Sequence, residues 1–300
     1  MLKIAWTNKY ALALPEGHRF PMLKYDLLPE QLLYEGTITE ANIFHPEPLA
    51  EKYIINTHDV TYWHRLVNQE LTPSEIRKTG FPLSPELVER EIIIMQGTAQ
   101  AALFALEFGI GMNVAGGTHH AFTDRGEGFC LLNDMAIAAN YLLQYQNINK
   151  ILVVDLDVHQ GNGTAQIFTN EPRVFTFSMH SGHNYPFHKE KSDLDIPLPD
   201  GTEDAAYLQI LKETLPKLLD AVQPQFVFYQ SGVDILATDK LGRLKVSTAG
   251  CKARDRLVLE TCQRHGLPVC VSMGGGYSRR IADIVEAHAN TFRLAQFLYF

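Results

Sequence analysis

The sequence is poor in the features that mark several large classes of protein. Its 300 residues hold four cysteines, Cys130, Cys251, Cys262 and Cys270, and no two form a C-x-x-C pair. That spacing suits neither a zinc knot nor a disulfide framework and points to a reducing compartment. No stretch approaches the ~18 uninterrupted apolar residues of a membrane span, and the opening M-L-K-I-A-W-T-N-K-Y lacks the apolar core of an export signal. A cytoplasmic chain with no membrane partner is expected. Basic residues are in the minority, 26 Lys and Arg against 34 Asp and Glu for a net charge of −8. The basic face that general nucleic-acid binding requires is therefore not expected. Internal repeats, low-complexity tracts and linkers are also missing, so one domain over residues 1–300 is the simplest organisation.

What the chain does have is centred on Ile151–Gly163, I-L-V-V-D-L-D-V-H-Q-G-N-G. Four apolar residues, three of them β-branched, predict a buried parallel strand. Asp155, Asp157 and His159 follow at every second position, which in an extended backbone puts all three on one side. On either side of this stretch, strands alternate with helices. Strands are predicted at Leu2–Trp6, Met112–Ala115, Arg173–Ser178, Phe226–Gln230 and Pro268–Met273. Helices are predicted at Leu27–Gly36, Pro48–Ile54, Val60–Asn68, Pro85–Gly109, Asn133–Tyr145, Asp204–Val222, Thr248–His265 and Ile281–Ala295. Thr72–Pro85 reads as a surface loop and His180–Pro199 as an irregular one. This alternation predicts an α/β fold, a three-layer α/β/α domain with a mainly parallel central sheet.

Unusual polar residues follow the apolar runs at several strand ends: His119 and His120, then Asp155, Asp157 and His159, then Asp234, then Tyr277. Ligands of open α/β sheets sit outside the carboxyl ends of the strands, so these four sets are expected to share one site. Asp157, His159 and Asp234 form a candidate Asp₂His set for one divalent cation, with the open position of catalytic zinc. Asp155 is assigned the orientation of a histidine, or a monovalent cation with Ser178 as neighbour. The tandem His119-His120 suits general acid–base work, and its preceding glycines let both rings reach one site. Tyr277 follows three glycines and can donate to a developing oxyanion; the stretch lacks the spacing and lysine of a P-loop. His180, His183 and His188 are candidates for the pocket mouth, while His18, His45, His58, His64, His265 and His288 have no such context.

These residues resemble the histone deacetylase family of the arginase/deacetylase fold. The resemblance rests on G-G-T-H-H-A, G-F-C-L-L-N-D, D-L-D-V-H-Q-G-N-G, Y-Q-S-G-V-D and G-G-G-Y, spread in order over Gly116–Tyr277, with a weaker match at Pro15–Tyr25. H-Q-G-N-G and D-R-G-E-G-F-C are most similar to class IV members and their bacterial relatives. The resemblance implies one zinc ion per chain on Asp157, His159 and Asp234. It implies His120 as the general base and then acid, His119 as its electrostatic support held by Asp155, and Tyr277 as the oxyanion donor. Gly128, Phe129, Tyr185 and Gly275 would contact the substrate, with Phe129 and Tyr185 as tunnel walls. Arg19 resembles an arginine lining the internal cavity through which acetate leaves, and potassium is implied near Asp155 and Ser178. Many members carry Asp where this chain has Asn162, the implied partner of His120, although class IV members share the Asn.

The function expected is zinc-dependent hydrolysis of an acetyl or longer acyl group from a lysine side chain of a protein or peptide. Deacetylation of a small amine such as an acetylpolyamine is the alternative, and a non-catalytic acyl-lysine binder is a third. The two-metal ureohydrolases of the same fold use a late D-x-D, which is missing because Asp234 is followed by I-L-A-T-D. The residues leave the acyl length and the oligomeric state open.

Overall fold

The computed structural model describes residues 1–300. It contains eight strands: β1 (Lys3–Ala5), β2 (Ile43–Phe44), β3 (Ile110–Asn113), β4 (Ile151–Asp155), β5 (Val174–Ser181), β6 (Leu194–Leu198), β7 (Phe226–Gln230) and β8 (Val269–Ser272). All eight pair in parallel in one sheet of order β2-β1-β3-β8-β7-β4-β5-β6. β3, β8, β7 and β4 are thus four neighbours at its centre, and their carboxyl ends open on one edge.

The helices are α1 (Lys24–Tyr34), α2 (Glu51–Ile54), α3 (Val60–Val67), α4 (Pro73–Thr79), α5 (Pro85–Phe108), α6 (Asp134–Tyr145), α7 (Asn162–Phe168), α8 (Asp204–Val222), α9 (Thr248–Arg264) and α10 (Ile281–Tyr299). The period of two in the central strands divides them between the faces of the sheet. Leu152 and Val154 of β4 join the core under α1 and α8–α10, whereas Ile151 and Val153 pack with the alanine-rich faces of α5 and α6. The result is the three-layer α/β/α arrangement. No helix is long and apolar enough to cross a membrane.

Several segments differ from the sequence expectation, among them β2 and α7, which have no expected counterpart. Thr72–Pro85 contains α4, a helix too short for an apolar period but started by a capping box in which Thr72 and Glu75 satisfy each other's backbone N–H. In His180–Pro199, β5 continues to Ser181 and β6 adds an edge strand. Pro197 lies in that strand, and an edge tolerates the missing N–H. β3 begins at Ile110, two residues before its predicted start, directly after Gly109 caps α5. The helix α7 starts at Asn162, directly after its N-cap Gly161.

Candidate active site and metal centre

The loops leaving β3, β4, β7 and β8 bring His119, His120, Asp155, Asp157, His159, Asp234 and Tyr277 to one buried place. The regular strand β4 ends at Asp155, so alternation along a strand does not align the three residues after it. A pair of side-chain turns does that work. Asp155 Oδ1 accepts the N–H of Asp157 at 3.1 Å, and Asp157 Oδ1 accepts the N–H of His159 at 3.0 Å.

The candidate metal ligands are three. Ligand atoms of Asp157, His159 and Asp234 all lie within 4.8 Å of one another. His159 Nδ1 is 3.1 Å from Asp157 Oδ1 and 3.2 Å from Asp234 Oδ2. The opposite carboxylate oxygens are held by backbone: Asp157 Oδ2 accepts from Gly275 N at 3.0 Å and Asp234 Oδ1 from Val158 N at 2.9 Å. Burial and the adjacent Asp157 carboxylate hold Asp234 up at about 7. No lysine or arginine pairs with either carboxylate. Two buried acids with one oxygen each turned toward an imidazole form a donor set that fits a divalent cation. Gly275 completes the fit, since a Cβ there would come 2.1 Å from Asp234 Oδ2 and 2.7 Å from Asp157 Oδ2.

The two histidines differ in their partners. His119 Nδ1 donates to Asp155 Oδ2 at 2.6 Å, and His120 Nδ1 donates to the neutral amide oxygen of Asn162 at the same distance. Their rings are 4.1 Å apart between centroids. Burial opposes charge on both, but Asp155 and Asp157 overcome it at His119 and raise it to about 9. At His120 burial is reinforced by the nearby His119 and His159, and its pKa falls well below the usual histidine value. His120 is therefore neutral, with Nδ1–H committed to Asn162 and Nε2 left as an acceptor.

Tyr277 packs its ring near Phe20 and Phe129, at centroid distances of 6.0 and 5.8 Å, and its hydroxyl makes no hydrogen bond to protein. Its backbone N–H donates to Asp239 at 2.6 Å. Outside it, Phe129 and Tyr185 stand on either side of a mouth of about 280 Å³. The Tyr185 ring lies 4.9 Å from that of His120, and its hydroxyl donates to Glu127 at 3.2 Å. Gly128 has φ of +52°, and a Cβ there would meet His120 Cδ2 at 2.7 Å, so only glycine fits between wall and base. On the inner side lies a chamber of about 40 Å³, bounded by Tyr25, Arg90, Ile94 and Cys130 as well as by the site residues.

Several expected positions are corrected by this geometry. Arg19 does not face the inner chamber; it is exposed at the mouth, its guanidinium 5.0 Å from the Phe129 ring centroid. Its neighbour Phe20 turns inward instead, and the cation on the chamber wall is Arg90. None of His180, His183 and His188 lines the mouth: His180 is buried against Ser178 at 2.9 Å, and His183 is exposed beside Asp200. Ser178 lies beside Asp155 in sheet register. His58 has the structural role of a histidine without site context, donating to Phe122 O and accepting from Asn133 N.

Sequence reasoning missed the residues that hold the loops. Arg254 of α9, fully buried and paired with Asp255, donates to the carbonyls of Leu156, Ser231 and Gly232. It thereby ties the Asp157 loop to the Asp234 loop. Asp134, which begins α6, accepts from Thr98, Thr118 and Ser272, and anchors the chain just before His119. The signal for Arg254 was a charged pair one turn before Val258, on the apolar side of α9.

Comparison with known proteins agrees with the fold. The histone deacetylase domain matches residues 18–292. The chain belongs to the histone deacetylase family. An uncharacterized protein of Picosynechococcus sp. is 45% identical over 99% of both chains. Histone deacetylase 2 of Arabidopsis thaliana is 29% identical over 95% of this chain and 78% of its own length. Among solved structures, an HDAC homolog from Aquifex aeolicus superposes with a TM-score of 0.84 at 24% identity, covering 97% of this chain and 82% of that one, a likeness of fold. An HDAC homolog complexed with SAHA gives 0.83 at 25% identity, over 98% and 82%.

Proposed function

We propose that this chain is a zinc-dependent amidohydrolase that removes an acetyl or longer acyl group from a lysine side chain of a protein or peptide. Family membership supports a deacetylase, and the observation that carries the reading is His120, bonded through Nδ1 to Asn162 with Nε2 left free, beside the Asp157–His159–Asp234 set. One zinc ion would be held by those three residues, where it supplies a Lewis acid that polarises an amide carbonyl and makes water easier to deprotonate. His120 Nε2 takes the proton of the attacking water and returns it to the amine nitrogen as the C–N bond breaks. His119, charged against Asp155, adds a positive field beside the reacting centre without competing for that proton. The Tyr277 hydroxyl, free of protein partners, donates to the oxyanion that forms as the carbonyl is attacked. Phe129 and Tyr185 hold the alkyl part of the lysine between them, next to Gly128, and Gly275 keeps the floor clear. Asp155 and Ser178, neighbours in sheet register, are the residues beside which potassium is proposed. We further read residues 1–300 as one catalytic domain working in the cytoplasm.

The test is turnover by zinc-loaded protein on acylated-lysine peptides and acetylpolyamines, with a hydroxamate control. Hydroxamate-sensitive release is expected, falling about 10³-fold in His120→Ala. Turnover that survives His120→Ala unchanged would remove the base from this scheme.

A further inference from the structure

The overall charge of the chain is −8, yet the mouth of the site has the opposite sign. Two exposed cations, Arg19 and Lys78, line it, and no carboxylate does. Arg19 and the backbone that carries Lys78 are both anchored. Arg19 lies over the Phe129 ring. Lys78 sits in the last turn of α4, whose end is bound to the tunnel wall: Gly128 N donates to Lys78 O at 3.0 Å and Phe129 N to Thr79 O at 2.7 Å. The other end of α4 is fixed by Arg65, which grips both oxygens of Glu75. Across the mouth, Lys189 donates to Asn184 O and Pro186 O at 2.6 and 2.5 Å and adds positive charge beneath the Tyr185 wall. Of the acids beside the mouth, Glu127 is engaged by Arg125 at 2.9 Å and by the Tyr185 hydroxyl, and Asp239 by the backbone N–H groups of Tyr277, Leu241 and Gly242. Beside these charges Phe187 stands 79% exposed.

We infer, resting on the deacylase reading above, that the mouth selects an acyl-lysine flanked by acidic residues and turns away polycations. An acetylated polyamine would bring its remaining ammonium groups against Arg19 and Lys78 with no carboxylate to receive them. An acidic peptide brings carboxylates to the same two cations, with Phe187 under its apolar side chains. Complementary potentials of this kind set partner choice and depend on salt.

The experiment compares kcat/KM on acetyl-lysine peptides of one length whose flanks are acidic, neutral or basic, together with an acetylated polyamine, at low salt and at 1 M salt. At low salt the acidic peptide is expected to exceed the basic one by roughly tenfold, with the difference mostly gone at 1 M, where screening acts within ~3 Å. The double reversal Arg19→Glu with Lys78→Glu is expected to invert the order. A preference for the basic peptide or the polyamine, or an order that the double reversal leaves in place, overturns the inference. Absence of turnover on every substrate would instead count against the deacylase reading. The mouth is then judged by the affinity of the same peptides carrying a hydroxamate in place of the acetyl group, with the same order expected and the same outcomes decisive.

Discussion

The inner site and its mouth are built on different principles. Inside, the ionisable groups are buried and one side of each is fixed by backbone or by another site residue: Asp157 by Gly275 N, Asp234 by Val158 N, His119 by Asp155 and His120 by Asn162. Glycines touch the carboxylates so closely that no side chain could be added. At the mouth the working groups are long side chains from separate segments, several exposed, and they meet each other through ring contacts and single hydrogen bonds. The difference implies that chemistry is set by rigid geometry inside and that selection is set by adjustable charge and apolar area outside. Inner substitutions should lower kcat or metal content. Outer ones should change KM and substrate order.

The sharpest way to break this contrast is Gly275→Ala. Its Cβ would overlap Asp234 Oδ2 and crowd Asp157 Oδ2, so one carboxylate must move. Zinc affinity is expected to fall by about 100-fold, with activity falling in step, while the helical content of the fold remains. Metal analysis beside a thermal melt decides it. Full zinc content with full activity would mean that the centre is pliable, and the contrast would fail.

A smaller effect is expected from Asn162→Asp. A carboxylate beside His120 favours the imidazolium, so its pKa must rise. The base form that catalysis needs is then lost at higher pH, and the acid limb of kcat/KM should move up by about one unit or more. In the unaltered chain the same limb should lie below the ordinary histidine value, because burial and the positive His119 oppose protonation. A pH profile of both proteins measures this, and coincident limbs would show that His120 is not the titrating base.

The same contrast explains what could be read from the residues alone. Inner groups sit directly after apolar runs, so β7 and α8 have the limits expected from the sequence and the four polar sets meet at one sheet edge. A period of two places Asp155, Asp157 and His159 on one side, but their alignment comes from turns after the strand has ended. Arg254 leaves only the trace of a charged pair on the apolar side of α9, and Asp134 leaves none, because their partners are backbone and side-chain groups far away in sequence. The mouth was least legible. α4 is too short to show a period, and Arg19 was assigned inward because nothing local distinguishes its direction from that of Phe20.

The smallest expected effect belongs to Phe187→Ala, at the outermost part of the mouth. Phe187 is 79% exposed and lies far along a loop that also carries Tyr185, so removing its ring takes away apolar area and leaves the buried groups where they are. A partly covered rim contact contributes on the order of 1 kcal/mol or less, which corresponds to a loss of about 2- to 5-fold in kcat/KM. The loss should appear in KM for a peptide and vanish for free acetyl-lysine, which is too short to reach the rim. Steady-state kinetics on the two substrates separates these cases. A fall in kcat on both would mean that the mouth and the inner site move together, and that selection and chemistry in this protein are not carried by separate parts.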